Sequence, residues 1–354
     1  MGRLSDAEFD AAADEEILKL LQTQAEIGVD IVTDGELRRD NFYSFVAEKL
    51  SGVKLMTLAE MLDVVEDKLG FERLLQTLDV PAYSLSNPTC IGKIARQKPL
   101  AADELRFIKR HTGKPVKIPL PGPYLLTRAM FVSEVSRSAY ANKEALARDV
   151  VRVLREELEE LIAEGVEFVQ FDEPVLTEVA FSPRGTRTFM CASLAARGDA
   201  KEELEFARAL LEDVLRGIRG PIFGLHICRG NWSQNESILL RGSYSPLKEY
   251  LERAPVQQLV LEYATERAGE LMAFSGKSIG LGVVNPRTEQ LETVSEIVAV
   301  VERALKLYAP TDIFLNPDCG FGTFSNSPVN SAAIATRKMQ IIVEAARELR
   351  SRIQ

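Results

Sequence analysis

Short apolar runs alternate with longer amphipathic stretches along this chain, and that alternation restricts the fold more than any other feature. Seven runs end near Thr33, Leu120, Phe171, His226, Glu262, Val284 and Leu315. Between them lie helical patterns over 102–111, 143–164, 200–217, 246–253, 289–307 and 330–352. Ser5-Asp6-Ala7-Glu8 reads as a capping box that opens a first helix, and Gly28 ends it. Strands joined through helices predict a parallel sheet. A barrel of eight strands and eight helices is expected rather than a doubly wound sheet, because a barrel gathers polar strand ends from the whole chain at one mouth. At 354 residues the chain suffices for one such barrel, read as a single domain over 1–354 with an excursion at about 52–100. The run at 89–95 is the candidate for an eighth strand that closes the barrel.

The polar ends of the runs carry the chemistry. His226 and Cys228 follow the apolar run Pro221 to Leu225. Residues i and i+2 of a strand share a face, so an imidazole and a thiol project together, a pair that suits zinc. Glu262 ends the run from Gln257, and Cys319 follows the run ending in Asn316-Pro317-Asp318. A buried cysteine is often a plain small apolar side chain, and one His-x-Cys is a weak signal. Four donors, each at the end of an apolar run, are a stronger one. Cys90 and Cys191 lack such a setting and read as structural; His111 reads as a helix-end histidine. Glu36, Arg38, Arg39, Asp40 and Asn41 crowd past the first run, and Asp172-Glu173-Pro174 past the third. In a barrel these are substrate-contacting loops, whereas in another fold they would be solvated turns.

The net charge of −9 argues against a nucleic-acid partner, and no run approaches the 18 apolar residues of a membrane span. The first residues lack the apolar core of a signal peptide, and four scattered cysteines make no disulfide framework, so the expected location is cytoplasmic.

The set Val32-Thr33-Asp34-Gly35-Glu36, Gln170-Phe171-Asp172-Glu173-Pro174, His226-x-Cys228, Glu262 and Asn316-Pro317-Asp318-Cys319-Gly320 resembles the catalytic domain of the cobalamin-independent methionine synthases over residues 5–350. The resemblance implies a (β/α)8 barrel of the methionine synthase/uroporphyrinogen decarboxylase type, in the short single-barrel branch. It implies zinc held by His226, Cys228, Glu262 and Cys319, and methyl transfer to homocysteine. It implies that Glu36 and Asp172 hold the substrate ammonium, a role that suits paired acids. The family's first strand carries Ile-Gly-Ser, for which this chain shows no counterpart. Folate-using members place a proton-donating histidine after the seventh strand. Here Gly282-Val283-Val284-Asn285-Pro286-Arg287 has none, and the chain's two histidines are His111 and His226. The methyl donor is therefore open among methyltetrahydrofolate, a methylated corrinoid and a small methylated compound.

Arg229 and Asn231, beside Cys228, are candidate contacts to the substrate, and Arg229 equally suits support of the ligand next to it. Two other functions compete. One is thiol alkylation with coenzyme M and an epoxide at a similar zinc site, against which the acid pair Glu36 and Asp172 speaks. The other is a non-catalytic barrel stabilised by a closed, four-coordinate zinc.

Overall fold

The computed structural model describes residues 4–64, 68–69, 86–181, 198–325 and 328–353. Cys191, the loop at 182–187 and much of the expected excursion lie outside them. Six parallel strands form one sheet in chain order: β3 (Lys117–Pro121), β4 (Phe168–Asp172), β5 (Ile222–Ile227), β6 (Gln258–Leu261), β7 (Ser278–Val284) and β8 (Ile313–Pro317). Their outward residues, such as Ile118, Leu120, Val169, Phe171, Leu225, Leu259 and Leu281, are fully buried under the helices. The inward residues are mixed. Lys117 pairs in register with Phe168 and Gln170 with Gly224, while Asp172 lies beside His226. The sheet is curled, since the rings of Phe168 on β4 and Phe314 on β8 meet edge to face at 6.1 Å.

The remaining helices follow the sequence reading closely. The capping box at Ser5 opens Asp6–Ile27, and Gly28 closes it in the left-handed region at φ 91°. Ala102–His111, Lys143–Ala163, Ala200–Leu215, Lys248–Arg253 and Ala332–Ile353 match the expected patterns within a few residues. The helix expected from Glu289 instead spans Val294–Ala304, because Thr293 and Glu296 form a capping box there.

Two expectations need correction. The run ending at Thr33 is not a strand; only Val32 pairs, in a parallel bridge to Val116. The side chain of Gln24 takes the place of strand partners, donating to Thr33 O at 2.7 Å and accepting from Thr33 N at 3.1 Å. The 89–95 run does not close a barrel either. It belongs to β2 (Ser86–Arg96), which pairs antiparallel with β1 (Leu50–Thr57) in a separate two-stranded ribbon. Interstrand pairing of the main sheet thus ends at β8 and at the Val32 bridge among the described residues. Finally, Pro123–Met130 is a helix that the sequence reading passed over. Glu173 supplies its cap, accepting from Tyr124 N at 2.8 Å and Leu125 N at 2.9 Å. Gly122 makes room for that carboxylate, since a Cβ there would lie 2.1 Å from it.

Candidate metal centre and substrate pocket

His226, Cys228 and Cys319 converge although they leave different strands. His226 sits on β5 with Cys228 just past its end, and Cys319 follows β8; their ligand atoms all lie within 4.8 Å of one another. Cys319 Sγ is 3.6 Å from His226 Nε2 and 3.7 Å from Glu262 Oε1. Zinc bonds of 2.0–2.3 Å at tetrahedral angles give ligand separations of about 3.5 Å, so these two edges fit such an ion. The donor set fits as well: two soft sulfurs, one imidazole nitrogen and one carboxylate. Glu262 lies at the margin of the group, outside the tight trio.

The thiol of Cys228 is pushed well below its usual value by hydrogen bonding with Cys319; burial opposes this, while His226 and the Gly230 N–H assist it. Cys319 is pushed up by the same sharing. His226 is raised to about 9: burial pulls it down, but Cys228, Asp172 and the Val260 carbonyl outweigh that. Gly230 adopts φ 97°, and the Trp232 ring lies against its Cα so closely that a Cβ would be 2.1 Å from it. No other residue type fits that turn.

Glu262 is only 1% exposed and is clasped by arginines. Oε1 accepts from Arg267 at 2.7 Å and from Arg287 at 3.5 Å, and Oε2 accepts from Arg229 N at 2.8 Å and its guanidinium at 3.4 Å. Of the two roles open to Arg229, its geometry is that of holding Glu262. It is fully buried, and its other donors go to Gly242 O and Ala268 O. Asn231 ties the loop of Cys228 to the loop of Cys319, donating to Gly320 O at 2.7 Å and to Thr323 Oγ1 at 3.2 Å.

Glu36 and Asp172 stand as a second, acidic group. Glu36 is the one non-glycine residue at positive φ (57°) among the described residues, a strained position of the kind found at functional sites. Its Oε2 accepts from Arg39 at 2.8 Å, and Arg39 is held in turn by Glu104, with bonds of 3.1 and 2.6 Å. Glu36 is raised to about 7 by burial, against the pull of Arg39 and with help from Asp172 and Glu104. Asp172 is also raised, chiefly by burial, with His226 opposing. Two acids held above their ordinary values in mutual proximity gain from a bound cation. Glu173, which the sequence left undecided, faces the helix it caps.

Several residues here escaped sequence reading. Arg267 and Glu104 reach the site from distant positions and left no local sign. Gln170 had one, since it lies two residues before Asp172 on a strand and so shares its face. Its Nε2 donates to Asp172 Oδ1 at 2.8 Å, and its Oε1 accepts from Lys117 at 3.1 Å.

A family model described as the catalytic domain of cobalamin-independent synthase matches residues 1–197 and 226–348. The methionine synthase of Pyrococcus abyssi is 25% identical over 358 aligned positions, covering 100% of this chain and 87% of that protein. That of Saccharolobus solfataricus is 25% identical, covering 100% and 89%. Among solved structures, a B12-independent methionine synthase from a Shewanella species, in complex with selenomethionine, has a TM-score of 0.75 at 23% identity. The match covers 99% of this chain and 91% of that one. A methyltransferase from Methanosarcina mazei has a TM-score of 0.52 at 15% identity, covering 95% and 86%. These structures share the fold, of the TIM-barrel type.

Proposed function

This chain belongs to the cobalamin-independent synthase catalytic-domain family, and on that premise we propose that it transfers a methyl group to the sulfur of homocysteine to form methionine, using a zinc ion held by His226, Cys228, Cys319 and Glu262. The observation that carries this reading is the convergence of the His226, Cys228 and Cys319 donors beside Asp172. Relatives named methionine synthase that match the whole chain support homocysteine as the acceptor. We read 1–354 as one catalytic domain, with the β1–β2 ribbon as the excursion.

Zinc in that donor set would keep a substrate thiol in its thiolate form at neutral pH, where a free thiol with a pKa of about 8.5 is mostly protonated. The protein's own residues do the rest. Glu36 and Asp172 receive the substrate ammonium; Arg39, braced by Glu104, aims Glu36, and Gln170 aims Asp172. The arginines on Glu262 draw off part of its negative charge, which makes it the weakest of the four donors. Asn285 and Arg287, after β7, both donate to Glu236 Oε1, and neither can lend a proton at neutral pH. The methyl donor stays open among methyltetrahydrofolate, a methylated corrinoid and a small methylated compound.

Zinc-edge X-ray absorption with and without L-homocysteine tests the reading. A shell of two sulfurs with nitrogen and oxygen that gains a third sulfur on adding the thiol is the expected result. An unchanged shell, or protein that binds no zinc, overturns it.

A further inference from the structure

We propose that Lys117, on the inner face of β3, binds the α-carboxylate of the substrate, so that the amino-acid end of homocysteine spans from Lys117 to Asp172 and Glu36. The inference rests on the homocysteine reading above and adds the group that recognises the other charge of the zwitterion. Three observations carry it.

The first is a missing partner. Lys117 Nζ donates to the neutral Gln170 Oε1 at 3.1 Å, while the carboxylate of Asp172 acts on it through space and not through a hydrogen bond. A half-buried ammonium without a hydrogen-bonded counter-ion is costly, and the cost is relieved by an anion that binds. Burial lowers the Lys117 pKa to about 8, with Asp172 opposing, so the cation prevails at neutral pH.

The second is span. The amide of Gln170 joins Lys117 to Asp172, with bonds of 3.1 and 2.8 Å. An amide is about 2.3 Å across, so Nζ and Asp172 Oδ1 are at most about 8 Å apart. The ammonium and carboxylate of an α-amino acid, about 3 Å apart, plus one hydrogen bond of about 2.8 Å at each end, reach up to about 9 Å and so can bridge any separation within that bound.

The third is direction. Asp172 pairs with His226 in the register, so a side chain leaving that end rises toward the thiol and imidazole donors. Lys117 therefore selects amino-acid thiols over thiols that lack a carboxylate.

Calorimetric titration of the full chain with L-methionine and with 3-(methylthio)propylamine, its decarboxylated analogue, tests this without depending on turnover. The wild type is compared with K117M and K117R, each checked for its melting transition. K117M is expected to weaken methionine binding about 10- to 100-fold, the worth of one charge-assisted hydrogen bond, and to leave the amine within about two-fold. K117R should recover most of the loss. Methionine binding in K117M within about two-fold of the wild type overturns the inference, and so does an equal loss for both ligands, which marks a structural role. If the wild type binds neither ligand, the homocysteine reading itself falls.

Discussion

His226 turns Nδ1 to the carbonyl oxygen of Val260, 2.9 Å away on the neighbouring strand β6. The bond assigns the N–H to Nδ1 and leaves Nε2 facing Cys319. A backbone carbonyl thus orients the imidazole of a proposed zinc ligand, and no metal is needed for it.

Replacing His226 with alanine removes a donor that the sheet has already aimed. Zinc affinity should fall by at least about 100-fold, while the far-ultraviolet circular dichroism stays that of the wild type. Metal content of the purified variant, measured by mass spectrometry, checks this; retention of one tightly bound zinc would contradict the assignment.

Glu262 and Cys319 should separate metal binding from folding. Glu262→Ala leaves Arg229 and Arg267 facing a buried void where their carboxylate was, and should cost about 3–5 kcal/mol. Cys319→Ser keeps every ion pair and should cost about 1 kcal/mol or less in the metal-free protein. Urea unfolding of both variants in the presence of a chelator compares them, and similar losses would refute the contrast.

Glu36→Gln and Asp172→Asn each remove half of the ammonium clamp proposed above. Each should raise KM for homocysteine about 10- to 100-fold, with a smaller effect on kcat, because a charge-assisted bond to bound substrate is lost. Steady-state kinetics at saturating methyl donor would show it. An unchanged KM for both variants would remove these acids from the substrate site.

Lys117 should make stability depend on pH. Burial sets its folded pKa near 8, below the ordinary lysine value of 10.5. The group's stabilising contribution is full above 10.5 and is lost as pH falls through 8. At pH 7 the half-buried ammonium therefore costs stability, by no more than about 3 kcal/mol even with Asp172 nearby. Lys117→Met should melt higher than the wild type at pH 7, and the gain should shrink as pH rises toward 10.5. Melting curves across that range test it; a destabilised variant at pH 7 would show that Lys117 holds the barrel together instead.

The order of β3 to β8 and the positions of His226, Cys228, Glu262 and Cys319 at strand ends were legible in the sequence. Each follows from a period of two along a strand or from a run ending where polar residues begin, and such patterns are local. The failures were local patterns too, with a distant group overriding them. Val29 to Val32 has the composition of a strand, yet Gln24 engages Thr33 and leaves Val32 a single bridge. Pro123–Met130 is capped by Glu173, some fifty residues on, although Pro123 at its first position is a local start signal.

The sequence by itself determined which elements form, in what order, and which donors end the strands. Tertiary structure alone decided what surrounds those donors: Arg267 and Arg229 on Glu262, Glu104 behind Arg39, and Lys117 joined to Asp172 through Gln170. Strand periodicity is a property of consecutive residues, whereas a buried charge is matched by whichever residue the curled sheet brings within about 3 Å, and no local pattern records that distance.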